Sequence, residues 1–345
     1  VKIHEKYIKR CIQLAKNGLG NTYPNPMVGS VIVYKDQIIG EGWHQKAGEP
    51  HAEVNAVNSV KDKSLLKKAT IYVSLEPCSH FGKTPPCSDL IIAQGIKNVV
   101  IGTIDPFAKV AGRGIQKLIQ AGCNVVVGVL EKECQDLNKR FFTFHQQKRP
   151  FIILKWAQTS NGFLAPLIQN QREPVWISNR YNKQLVHKWR SEEQAILIGT
   201  QTAIKDNPKL DTRLWKGKSP LRLVIDKDLK IPTQSHLYLQ ETPTVFFTAL
   251  KKESKKFIEF ETLDFNQPLI PQICDFLYRK EIQSLIVEGG AKTLQEFINK
   301  NYWDEARVTK NLNSWENGIS APEISGKISN KINLQDNTIT FYEAD

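Results

Sequence analysis

Apolar and polar positions alternate with two different periods along this chain. Between residues 4 and 16, Tyr7, Ile8, Cys11, Ile12 and Ala15 recur at helical spacing. One buried helix stripe is predicted there, with Gly18 as its stop. Residues 28–34 and 37–43 are apolar runs either side of Lys35-Asp36, which predicts a hairpin. Helical spacing returns over 51–60, 88–94 and 114–121. Short β-rich runs occupy 69–75, 98–103 and 124–129. A polar helix carrying Leu137, Phe141, Phe142 and Phe144 is predicted over 131–147. Strands and helices in alternation predict an α/β sheet with helices packed on it.

The polar stretch Gln146-Gln147-Lys148-Arg149-Pro150 interrupts this pattern, which then restarts. Strands are predicted at 151–157, 195–198, 221–225, 244–247 and 285–287. Helices are predicted at 179–191, 271–279 and 291–299, and two last strands flank Gln335-Asp336-Asn337. There is no internal repeat. A length of 345 residues suits two domains, and the pattern divides them as 1–148 and 149–345.

No apolar run approaches the ~20 residues that span a bilayer. The first residues are charged and amphipathic, without the apolar core of a secretion signal, so a cytoplasmic protein is expected. Six cysteines are too sparse for a disulfide scaffold. Cys11, Cys123, Cys134 and Cys274 sit in apolar or helical contexts and read as core fillers. Cys78 and Cys87 instead flank a polar, proline-rich loop, where metal binding is the better reading.

The net charge of +12 raises the question of a nucleic-acid partner. The charge is spread out, with 20 basic and 12 acidic groups in residues 1–148 and 27 and 23 in residues 149–345. The cluster Lys251-Lys252-Glu253-Ser254-Lys255-Lys256 reads as a solvated face. A small phosphorylated substrate accounts for a basic surplus equally well, and no nucleic-acid or membrane partner is expected.

The strongest chemical signal is His51-Ala52-Glu53, followed by Pro77-Cys78 and Pro86-Cys87. One His and two Cys supply three zinc ligands and leave a fourth position for water, the mark of a catalytic site. Zinc brings the pKa of bound water towards ~7. Glu53, two residues past the ligand, is placed to carry the proton from that water to a leaving amine. This order of residues is the zinc deaminase signature. A fourth ligand from His44 or His80 would make the site structural instead. The spacing departs from the general pattern, since eight residues rather than two separate the cysteines.

The stretch from Glu76 to Cys87 closely resembles the deaminase domain of the bifunctional riboflavin biosynthesis deaminase/reductases. So do Pro24-Asn25-Pro26-Met27-Val28-Gly29, Gly48-Glu49-Pro50-His51-Ala52-Glu53-Val54 and the run from Asp105-Pro106 to Gly114. The resemblance covers residues 4–145. It implies a cytidine-deaminase-like three-layer domain that removes the 2-amino group of a diaminopyrimidinone bearing a ribosylamino 5′-phosphate. Asn25, His44, His80 and Lys83 match family substrate positions.

In the second half, Val287-Glu288-Gly289-Gly290-Ala291-Lys292-Thr293 ends a strand and opens a helix, where glycines let backbone N–H groups approach a phosphate. It is not a Rossmann fingerprint, and a tight strand–helix turn explains it as well. The run Lys155–Gly162, with Trp176-Ile177-Ser178, Ala195–Thr200, Asp206–Leu210 and Val224-Ile225-Asp226, resembles the family's dihydrofolate-reductase-like α/β domain. That resemblance implies NADPH as cofactor and a hydride delivered to C1′ of the ribosylamino group. It puts Ala157, Trp176, Thr202, Asp206 and the run Gly290, Ala291, Lys292, Thr293, Leu294, Gln295, Glu296 at cofactor positions. Arg190, Leu210, Arg213 and Glu288 fall at substrate positions. Arg190 and Arg213 suit a ribose phosphate, because guanidinium binds phosphate bidentately. The resemblance also implies a homo-oligomer, a dimer or tetramer, assembled through the reductase domain.

The chain departs from the family in this half. Asn161 and Phe163 stand where Asp and Lys are usual, Pro174 where Ser is common, and Lys227 where a small polar residue is common. The usual glycine-rich stretch after Asp304 is missing. Two other readings stay open: a deaminase with a degraded reductase domain, and a nucleic-acid or nucleoside deaminase with an accessory domain.

Overall fold

A computed structural model describes every residue except 1, 82–84, 108–110, 169–171, 174, 240–241 and 345. The chain divides into two units, Val1–Lys148 and Arg149–Asp345.

The first unit begins with α1 (Lys2–Ala15), which buries the predicted stripe of Tyr7, Ile8, Cys11, Ile12 and Ala15. The helix does not stop at a left-handed glycine. It tightens into a 3₁₀ turn, Lys16–Gly18, because Gly18 is there for close approach: a Cβ would lie 2.8 Å from the His44 carbonyl oxygen. Strands β1 (Gly29–Tyr34) and β2 (Gln37–Trp43) form the expected hairpin. Lys35 and Asp36 both adopt positive φ, 46° and 60°, as the tight two-residue turn requires.

The chain continues through α2 (Ala52–Ser59), β3 (Thr70–Leu75), α3 (Cys87–Ala93), β4 (Asn98–Thr103), α4 (Arg113–Gln120) and β5 (Asn124–Val127). The sheet order is β2-β1-β3-β4-β5, antiparallel around β1 and parallel from β3 onward. Successive residues of each strand serve opposite faces. Ile71, Val73, Val99 and Ile101 pack with Ala56, Val57, Ile91 and Leu118 of α2, α3 and α4. Tyr72 and Val100, with Val31 and Val33, pack on α1. The result is a helix–sheet–helix stack of three layers.

The single helix predicted over 131–147 is two, α5 (Glu131–Leu137) and α6 (Lys139–Gln147). Asn138 breaks it. Its buried amide accepts from Met27 N–H and donates to Met27 C=O, both at 2.8 Å, and so fastens the break to a segment 111 residues away.

The second unit runs β6 (Phe151–Gln158), β7 (Phe163–Ala165), α7 (Arg180–Glu192), β8 (Ala195–Gly199), α8 (Thr200–Asp206), β9 (Leu221–Ile225), α9 (His236–Leu239), β10 (Thr244–Thr248) and β11 (Ile258–Thr262). It ends with α10 (Leu269–Arg279), β12 (Ser284–Val287), α11 (Ala291–Asn299), β13 (Glu305–Asn311), β14 (Ile319–Ser320), β15 (Lys327–Leu334) and β16 (Asn337–Glu343). Nine strands form one sheet in the order β11-β10-β9-β8-β12-β6-β13-β16-β15. The strands from β11 to β13 in that order are parallel, and the β15–β16 hairpin closes the edge antiparallel. In β6, Ile152, Leu154 and Trp156 face the core under α10 and α11, while Phe151 and Ile153 face α7.

Four strands were not legible as strands. The sequence of β13, Glu-Ala-Arg-Val-Thr-Lys-Asn, is polar, yet all but Lys310 is buried. Its charges are internal, with Arg307 Nε donating to Glu305 at 2.6 Å. Strands β7 and β14 pair with each other in a separate small sheet. The family departures Asn161 and Phe163 belong to this region: the Asn161 amide donates to Trp315 C=O at 2.6 Å and accepts from Trp315 N–H at 3.2 Å, and Phe163 opens β7. Among the described residues, no helix is long and apolar enough to cross a membrane.

Candidate active sites

His51 is the N-cap residue of α2, held extended at φ −72° and ψ 167°. Cys78 follows β3, and Cys87 is the first residue of α3. These three segment ends converge. His51 Nδ1 lies 3.3 Å from Cys87 Sγ and 3.6 Å from Cys78 Sγ, and all three donor atoms fall within 4.8 Å of one another. Among the described residues, no other grouping of three His, Cys, Asp or Glu side chains is arranged to hold a metal ion. The Cys78 thiol is held well down by hydrogen bonding from Cys87 and from His51, while the Cys87 thiol is pushed up by that bond and by burial. Two sulfurs and one imidazole nitrogen, with one sulfur already favouring the thiolate, fit zinc.

Glu53 lies in the first turn of α2 and is 3% exposed. Burial pushes its carboxyl up, and the neighbouring Cys78 adds to this. The Cys87 thiol acts on this carboxyl, which places Glu53 beside the His51, Cys78 and Cys87 group. His44 does not join the cluster. Its Nε2 accepts from Asn25 Nδ2 at 3.1 Å, which places its proton on Nδ1, 3.2 Å from Pro50 C=O. Its ring stands edge-on to His51, the centroids 5.3 Å apart. Asn25 and His44 thus form a polar pair against the ligand histidine. His80 is exposed on the loop between the cysteines and is outside the cluster. Lys83 lies outside the described residues. Among the described residues no fourth His, Cys, Asp or Glu donor joins these three, so a metal ion held by them would keep a position for water.

In the second unit, one cavity brings together Ala157, Trp176, Thr202, Asp206, Arg190, Leu210, Arg213 and Glu288. Arg190 of α7 grips Glu288 at the end of β12 through two parallel bonds, Nε–Oε1 at 3.0 Å and a terminal nitrogen to Oε2 at 2.7 Å. Its remaining nitrogen donates to Asp211 C=O. The Arg190 fork is therefore occupied by protein. Arg213, 42% exposed in its side chain and paired with Asp211, is the arginine with an open face. Leu210 holds the left-handed conformation, φ 55°, at the bend between them.

Three cavity residues were missed by the sequence reading. Lys155 Nζ stands 3.7 Å from Glu288, and burial lowers its pKa against the pull of that carboxylate. A lone Lys in an otherwise apolar strand was the available signal. Lys183 and His187 share the α7 face of Arg190, at spacings of four and three, and line the same cavity. Lys183 Nζ sits 3.8 Å from the centre of the exposed Trp176 ring. Buried His187 is pushed down to about 4 by desolvation and by Arg190 and Arg213.

The start of α11 meets the ends of β8 and β12 through glycines. A Cβ on Gly289 would lie 2.7 Å from Ile198 Cα, one on Gly199 2.7 Å from Thr293 Oγ1, and Gly290 has φ 57°. Side chains do not fit there because the strand ends and α11 pack directly on one another. Of the α11 run, Leu294 is fully buried in the core, Gln295 bonds Asn299, and Lys292 and Glu296 are exposed.

A three-layer unit with a His/Cys/Cys/Glu centre, joined to a parallel-sheet unit with a basic cavity, defines a two-domain enzyme: a zinc-type deaminase followed by a reductase. Residues 1–103 match the cytidine and deoxycytidylate deaminase zinc-binding region, and residues 150–311 match the RibD C-terminal domain. The riboflavin biosynthesis protein RibD of Aquifex aeolicus is 40% identical over 99% of both chains. That of Escherichia coli is 35% identical over 88% of this chain and 86% of its own. The crystal structure of a diaminohydroxyphosphoribosylaminopyrimidine deaminase/5-amino-6-(5-phosphoribosylamino)uracil reductase from Thermotoga maritima superposes with a TM-score of 0.90 at 34% identity, covering 100% of this chain and 99% of that one. The chain belongs to the RibD family of bifunctional riboflavin biosynthesis proteins, with a deaminase domain and a reductase domain. The deaminase family is a zinc-binding one, and the reductase domain implies a nicotinamide cofactor.

Proposed function

We propose that residues 1–148 deaminate 2,5-diamino-6-(5-phosphoribosylamino)pyrimidin-4(3H)-one. Residues 149–345 then reduce the ribosyl group of 5-amino-6-(5-phosphoribosylamino)uracil to ribityl, with NADPH as reductant. The observation that carries the first half is the convergence of His51, Cys78 and Cys87 around one point, with buried Glu53 beside them. When bound, zinc supplies the Lewis acidity that makes water nucleophilic at neutral pH, and the nicotinamide supplies the reducing electrons. His51, Cys78 and Cys87 hold the metal. Glu53 takes a proton from the attacking water and hands it to the departing amine. Asn25, oriented by His44, reads the pyrimidine edge. His80 and Lys83 supply donors for the 5′-phosphate.

In the second domain, Arg213 and Lys183 bring positive charge to the substrate phosphate. The Arg190–Glu288 pair and Leu210 shape the sugar end of the cavity. Ala157, Trp176, Thr202, Asp206 and the start of α11 hold the cofactor. Positioning is the main contribution of these groups. The clasp between Asn161 and Trp315 supports an active reductase, since the departures there are integrated into ordered hydrogen bonds. The free state of all six cysteines suits a reducing, cytoplasmic setting, and the same reading includes a dimer or tetramer.

The test supplies purified protein with the diaminopyrimidinone phosphate, with and without NADPH, and follows ammonia and NADPH together. Ammonia release without NADPH, and stoichiometric NADPH oxidation when it is added, are the expected results. Ammonia without any NADPH oxidation would leave a deaminase alone, and turnover of tRNA or single-stranded DNA in preference to the pyrimidine would overturn the substrate.

A further inference from the structure

Glu76 connects β3 to the turn that presents Cys78, and it is 4% exposed. A buried carboxylate normally has a cation beside it. The partners of this one are peptide N–H groups. Oε1 accepts from Gly114 at 2.9 Å and Ile115 at 3.3 Å. Oε2 accepts from Gly112 at 2.9 Å and Asp105 at 3.3 Å. Gly114 and Ile115 are in the first turn of α4, whose N–H groups lack helical partners. The N-cap position is Gly112, at φ 77°, which has no side chain to serve them. Glu76 serves them from a different strand.

The two segments are also in direct contact. A Cβ on Gly114 would lie 2.1 Å from the Pro77 carbonyl oxygen, one residue before Cys78. The backbone that presents a ligand therefore rests on the start of α4, and one carboxylate ties both.

We propose that Glu76 is a positioning residue of the deaminase centre: by fastening the start of α4 to the 76–78 turn, it sets where the Cys78 sulfur meets the metal. This rests on the reading of Cys78 as a zinc ligand. Groups that orient ligands without touching the metal typically change metal affinity by about 10–100-fold when removed.

The test compares wild type with Glu76→Gln and Glu76→Asp in the full-length protein. Gln turns one acceptor oxygen into a donor that faces two N–H groups, and Asp keeps both oxygens but withdraws them. Zinc transfer to a chromogenic chelator is followed, together with the visible bands of the cobalt-substituted protein, which report ligand geometry. Resistance of residues 1–148 to limited proteolysis checks that the deaminase domain, which carries the substitution, is folded. Both variants are expected to release zinc at least tenfold faster and to shift the cobalt bands, with the proteolytic resistance of the deaminase domain unchanged. Release within twofold of wild type and an unaltered cobalt spectrum in either folded variant would overturn the proposal. Wild-type protein that takes up no zinc would instead remove the ligand assignment beneath it.

Discussion

Arg190 and Glu288 stand 98 residues apart in the chain, yet their side chains meet in two parallel N–H···O bonds of 3.0 and 2.7 Å. Lys155 flanks the same carboxylate at 3.7 Å. Burial would raise the Glu288 carboxyl, but the charges of Arg190 and Lys155 overcome it and hold the group at about 2. Its folded value is below its unfolded one, so its stabilisation is full above about 4.5 and is lost as pH falls through 2. Glu288→Gln leaves two buried cations without a counterion. It is expected to cost about 3–5 kcal/mol of stability in the reductase domain. Denaturant melts at several pH values check this, and the variant should show a flatter stability profile between pH 4.5 and 2.

His187 acts in the adjoining, higher part of the acid range. Its folded pKa, about 4, is depressed below the ordinary 6.5. The unfolded chain therefore takes up a proton first as pH falls, and stability declines between 6.5 and 4. His187→Gln is expected to remove part of that decline. Unfolding at pH 7, 5.5 and 4.5 measures it, and an unchanged slope would show that other groups set the acid sensitivity.

Glu53→Gln keeps the shape of the deaminase site and removes the proton carrier. Zinc content is expected to stay at wild-type level while ammonia release falls at least about 100-fold. Retention of full deaminase activity would exclude the proton-shuttle role.

Zinc removal separates the two activities. Chelation, or Cys87→Ser, is expected to abolish ammonia release and leave NADPH oxidation intact when the reductase substrate is supplied directly. Equal loss of both would mean that the two units do not function independently.

Arg213→Ala tests the phosphate contact in the reductase cavity. A charge-assisted hydrogen bond is worth about 1.5–3 kcal/mol, so the reductase KM should rise roughly ten- to hundredfold. Deaminase kinetics should not move.

The residue pattern made some of this molecule legible and hid other parts for identifiable reasons. The hairpin at Lys35-Asp36, the α1 stripe and the helix at Ala291–Asn299 follow from local periodicity. The zinc residues are legible because they occupy fixed places at the ends of short elements. Asn138 was not, because its partner, Met27, is 111 residues away. Strand β13 was hidden because Glu305 and Arg307 neutralise each other inside the sheet, so burial left no apolar trace. The partnership of Arg190 with Glu288 was equally invisible: Arg190 reads as a phosphate ligand until its fork is found filled.

The alternation of β6 has a further consequence. Lys155 lies on the face shared by Phe151 and Ile153, where Glu288 awaits it. A shift of one residue in the pairing of this central strand would turn Lys155 into the apolar layer of Ile152, Leu154 and Trp156 and leave it without a counterion. An unpaired buried ammonium is among the costliest errors a sheet can make. Correct register is therefore the pairing that gives Lys155 its counterion, and a one-residue slip would bury its charge unpaired.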